Sequence, residues 1–169
     1  MAGILNGYPM KLLLLLGLLS ISCTAAPLFV TKCGLRYMGN RFTGEEMPGY
    51  THTRIQAVED ASIARGLVTC KQLSGYNFYV RPEKAWKEMA DGFERSGSTY
   101  CNDLEPRVEV GSDWEHTSAP HEFHHVSQRC FYHPIGPGDD YQLGFHWRWY
   151  EDGVEKAIDQ VKVDLEGVQ

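Results

Sequence analysis

The chain has 169 residues, a length suited to one domain. With 43% hydrophobic and 22% charged residues it has a globular composition, and 17 Gly and 8 Pro exclude a collagen-like or proline-rich fibre. The formal charge of −6, with no basic stripe along the sequence, argues against DNA or an anionic membrane as a generic partner.

The N-terminus has the layout of an export signal. Lys11 supplies a positive start, Leu12 to Leu19 form a short apolar run, and Ser20, Ser22, Thr24, Ala25 and Ala26 are small. Cleavage after Ala25 makes residues 1–25 a signal peptide and 26–169 one secreted, extracellular domain. Met10 offers a second start for a more compact signal. The apolar run is short for a bilayer crossing and no second one follows, so no membrane span is expected.

Of five cysteines, Cys23 falls inside the signal. The remaining Cys33, Cys70, Cys101 and Cys130 form an even set in an exported chain, which implies two disulfides. Three connectivities are open. Each would close a long loop, worth about 3–4 kcal/mol on chain-entropy grounds.

The elements follow in order. Leu28–Tyr37 reads as an opening strand, and Gly39 to Gly49 is rich in turn residues. Thr53 can cap a helix over Arg54–Arg65, with Ile55, Val58 and Ser62 on one face and Gly66 as the stop. Tyr76–Val80 is a short strand by its aromatic and β-branched content. Pro82 then opens a predicted helix carrying Trp86, Met89, Ala90 and Phe93 and ending at Gly97. Arg107–Val110 is a strand candidate, Gly111–Pro120 a loop, and Val126–His133 fits strand or helix. Tyr141–Trp149 alternates apolar and polar residues as a half-buried strand does. After the turn Glu151-Asp152-Gly153, the residues Val154, Ile158, Val161 and Leu165 form a helical stripe expected to pack on it. The expected fold is α+β: an antiparallel sheet, about three helices and two disulfides.

Five of the seven histidines fall between positions 116 and 133. Within that stretch His121-Glu122-Phe123-His124-His125 has the form His-Glu-x-x-His. On a helix this spacing can aim His121 and His125 at one zinc ion and leave Glu122 to activate a water. Asp139 would be a third ligand, as in the secreted aspartate-liganded zinc endopeptidases that the segment resembles. Pro120, however, places His121 in the first turn of any helix, and in a strand His121 and His125 would share a face without that geometry. A second enzyme reading, similar to secreted guanyl-type ribonucleases, gives the catalytic roles to Arg107, Glu109 and His116. Trp147 and Trp149 share a face with Leu143 and Phe145, which favours core packing over carbohydrate or base stacking. No basic patch interleaved with aromatics is visible, so nucleic acid is not an expected partner.

From Cys101 onward the layout of Trp114, Cys130-Phe131, Leu143-Gly144 and a helix through Ile158 resembles the C-terminal part of the necrosis-inducing, killer-toxin-like extracellular effectors of filamentous fungi. The resemblance covers residues 101–162. It implies a monomeric secreted effector of the virulence type that binds a host or competitor protein or glycan. No catalysis, metal or cofactor is then expected; the alternative is the zinc metalloendopeptidase of His121, Glu122 and His125.

Overall fold

A computed structural model describes residues 25–87, 94–101, 104–112, 118–128, 153–166 and 168. The expected signal segment before Ala25 lies outside these residues, as do Trp114, His116, Cys130, Asp139 and the segment Tyr141–Trp149 expected as a strand. No helix among the described residues is long and apolar enough to cross a membrane.

The opening segment folds back on itself. β1 (Phe29–Val30) and β2 (Arg36–Asn40) pair antiparallel, with Phe29 opposite Tyr37. The turn between them carries Cys33 and is pinned to α1 (His52–Ala64) by Glu59. That fully buried carboxylate accepts from the Thr31 hydroxyl, the Cys33 amide at 3.2 Å and the Gln56 amide at 2.8 Å. The Thr51 hydroxyl, two residues before the expected cap, accepts from the Arg54 amide and starts α1. Ile55, Val58 and Ser62 are buried, as their spacing predicts, and Gly66, at φ +72°, follows the helix end.

A short helix, α2 (Cys70–Leu73), precedes β3 (Asn77–Val80). Since two helices separate β2 from β3, their connection is a crossover, and crossovers join parallel strands. β7 (Arg107–Val110) also lies parallel to β3, while β6 (Gly97–Tyr100) pairs antiparallel with β7. The five strands run in the order β1-β2-β3-β7-β6, so the sheet is mixed and not antiparallel as expected.

Among the described residues the segment after Pro82, predicted as a helix, contains strands. Trp86–Lys87 is β4, paired antiparallel with β5 (Glu94–Arg95), and β6 begins at Gly97. A bulky aromatic such as Trp86 fits helix and strand alike, and here pairing with Arg95 prevails. Ser118–Ser127, expected as loop and then strand or helix, forms α3. Pro120 sits in its first turn, where no intrahelical N–H bond is lost. α4 (Val154–Asp164) carries the predicted stripe, burying Ile158 and Val161 against α1 and α3. The described residues thus contain four helices, one of them a single turn.

The helices cover one face of the sheet. Phe78, Val80, Val108 and Val110 are fully buried there with Phe123, and the Phe78 and Phe123 rings lie 6.1 Å apart. Cys33–Cys70 bridges the β1–β2 turn to the start of α2, with Cα atoms 4.8 Å apart. Cys101 is also disulfide-bonded, and Cys130 lies outside the described residues.

Candidate functional site

Because side chains alternate along a strand, the residues between the core positions of β3 and β7 point away from the helices. They are Tyr79 on β3 and Arg107 and Glu109 on β7, with Glu109 opposite Tyr79. Two more arginines arrive one residue past the ends of their strands. The Arg41 amide donates to the Val80 carbonyl and the Arg81 amide to the Val110 carbonyl, each at 2.8 Å, which extends the ladder and fixes both positions.

Three guanidinium groups therefore surround one carboxylate that is itself fully buried. Glu109 Oε1 accepts from Arg41 Nε at 2.8 Å and Arg107 Nε at 2.7 Å, while Oε2 accepts from Arg81 Nε at 2.8 Å. Each arginine also stacks on an aromatic ring: Arg41 on Tyr79 at 4.7 Å, Arg81 on Trp86 at 4.3 Å and Arg107 on Tyr100 at 4.0 Å from the centroid. Arg81 also lies 5.5 Å from the centroid of Phe42, which is 63% exposed.

The electrostatics follow from this packing. Burial lowers the pKa of Arg107, but the hydrogen bond and attraction from Glu109, with Glu105 adding to them, outweigh it and leave the guanidinium above its ordinary value. Tyr79 is raised, first by burial and then by the hydrogen bond its hydroxyl donates to Glu105 at 2.8 Å. Three positive groups face Glu109 and the more distant Glu105, so the cluster keeps an excess of positive charge. Among the described residues, the buried side-chain polar atoms without a hydrogen bond are Arg36 Nε, Ser62 Oγ and Gln128 Oε1. Arg81 also places Nη2 2.8 Å from Glu109 Oε2, and the side chains of Arg41, Arg81 and Arg107 are only partly buried, so the rim of the cluster reaches solvent. Planar forks at such a rim suit an oxyanion such as phosphate, sulfate or carboxylate.

Of the ribonuclease-type set, Arg107 and Glu109 are neighbours and His116 lies outside the described residues. Both Glu109 oxygens are engaged by arginines, so the carboxylate is occupied within the cluster. Arg41 and Arg81 were not singled out from the sequence. They lie 40 positions apart in a chain without local basic runs, and only the strand register brings them together. The available signal was the repeated placement of an arginine at the start of a short strand or just beyond its end.

The histidine segment forms a second constellation. His121 and His125 are one turn apart on α3, with Nε2 atoms 3.2 Å from each other. His121, Glu122 and His125 each present a ligand atom, all within 4.8 Å of one another. Glu122 is buried, and its Oε2 accepts from the Thr99 hydroxyl on β6 at 2.6 Å. Gly97 makes room for it, since a Cβ at that position would lie 2.6 Å from Glu122 Oε1. His124 points elsewhere, with Nδ1 3.0 Å from the Leu67 carbonyl. Asp139, the expected third ligand, lies outside the described residues.

No protein-family model matches the chain, and neither a curated protein nor a solved structure matches it.

Proposed function

We propose that this chain is an exported, disulfide-stapled binding protein of the effector type, which recognises an oxyanion group on a host or competitor protein or glycan. The observation that carries the reading is the convergence of the partly exposed Arg41, Arg81 and Arg107 on the buried Glu109. The carboxylate acts as a hub that holds the forks in place, so little side-chain entropy is lost when a ligand binds. Export is supported by the N-terminal apolar run and by the Cys33–Cys70 bridge. With that pair formed and Cys23 removed, Cys101 and Cys130 make the second bridge. Kinship with the necrosis-inducing effectors rests on the Cys101, Trp114 and Cys130-Phe131 layout.

Binding is favoured over peptidase chemistry because Glu122 is tied to Thr99 and packed over Gly97, whereas a hydrolytic glutamate must face a metal-bound water. Retention on immobilised heparin tests the proposal well, since a chain of formal charge −6 has no generic reason to bind a polyanion. The wild type is expected to be retained at low salt, with Arg41→Gln and Arg107→Gln eluting earlier while keeping their circular dichroism spectra. Passage of the wild type without retention, or coincident elution of all three proteins, would contradict it.

A further inference from the structure

We infer that His121, His125 and Glu122 form a zinc site on α3, separate from the arginine face and independent of what that face binds. Two ligand nitrogens on a tetrahedral zinc, each about 2.0–2.1 Å from the ion, lie about 3.3–3.4 Å apart. The two Nε2 atoms are 3.2 Å apart, so the rings already stand close to the required spacing. The ring centroids are 5.0 Å apart and their planes meet at 66°, so the rings meet edge-on and not stacked face to face. A carboxylate oxygen of Glu122 completes a set of three within 4.8 Å.

The carboxylate is positioned from outside the helix. Thr99 bonds Oε2, and the missing side chain of Gly97 leaves the space it occupies. An outer group that orients a ligand in this way is a recurrent feature of metal centres. In this arrangement Glu122 is a ligand, in contrast to the His-Glu-x-x-His peptidases, where the glutamate stays off the metal. Two imidazoles and one carboxylate make a borderline donor set suited to zinc over magnesium or calcium. His121 and His125 are both half-buried, so zinc can reach the pair from solvent.

The test is zinc titration into the full chain against a competing chelator, with cobalt(II) absorption reporting coordination. The wild type is expected to saturate at one equivalent and to give the visible spectrum of a four-coordinate cobalt ion. His121→Ala and His125→Ala should each weaken binding more than about 100-fold, and Thr99→Val by about 10–100-fold through the loosened carboxylate. His125→Phe, which keeps a ring at that position, serves if an alanine variant loses its fold. Absence of saturable uptake by the wild type up to about millimolar zinc would overturn the site. So would unchanged affinity in the histidine variants, which would leave the 3.2 Å contact as an imidazole–imidazole hydrogen bond.

Discussion

The two faces of the β3–β7 pair use the same strands and opposite physics. Toward the helices, Phe78, Val80, Val108 and Val110 are fully buried and hold the fold by exclusion of water. On the other face, Tyr79, Arg107 and Glu109 alternate with them, and the buried carboxylate is compensated by three guanidinium groups. The apolar face tolerates imprecise geometry because its driving force has no direction. The charged face depends on each partner, since removal of one ion from an enclosed network strands the others. The guanidinium groups of such a face are held in place by their own ion pairs.

Substitution separates the two faces. Phe78→Ala should cost about 3–5 kcal/mol in urea unfolding, with little dependence on salt. Glu109→Gln removes the hub carboxylate charge and should cost about 3–5 kcal/mol, partly restored by added phosphate or sulfate bound at the outer rim of the guanidinium groups. A neutral Glu109→Gln would break the comparison, because the charged face would then not depend on its hub.

The bridge between the β1–β2 turn and α2 belongs to neither face. Paired Cys33→Ser and Cys70→Ser substitutions should lower stability by about 3–4 kcal/mol through the freed loop, while leaving heparin retention of the folded protein unchanged.

The smallest effect concerns an exposed ion pair, Arg65 with Asp164, which joins the end of α1 to α4 at 2.7 Å. The hydrogen bond from Arg65 lowers the Asp164 pKa below its ordinary value. A carboxylate lowered on folding adds stability above its unfolded pKa and loses it as pH falls through the folded one. Asp164→Asn should therefore leave a slightly flatter stability profile from about pH 5 downward, with a far smaller change than Glu109→Gln. An equal effect at the two carboxylates would remove the distinction between enclosed and exposed pairs.

Local pattern carried much of the fold. The α1 face of Ile55, Val58 and Ser62 and the α4 stripe of Ile158 and Val161 follow from periodicity, and the strand at Asn77–Val80 from aromatic and β-branched content, with Arg107–Val110 a candidate that forms. The parallel pairing of β2 with β3 was implicit in the helix between them, but it depends on a long-range crossover and not on any local motif. Trp86 shows the opposite failure, where helical spacing yields to pairing with Arg95. The His121 and His125 spacing was legible because helical neighbours are near in sequence. The arginine hub was not, because Arg41, Arg81 and Arg107 become neighbours only through strand register.

The most direct measurement of the central claim is a side-chain Nε–Hε NMR titration of all arginines with inorganic phosphate. The hub predicts saturable shifts of Arg41, Arg81 and Arg107 with one shared dissociation constant, while Arg36, Arg54 and Arg65 stay near their starting positions. Small, non-saturating shifts shared by every arginine would contradict a built oxyanion site on this face.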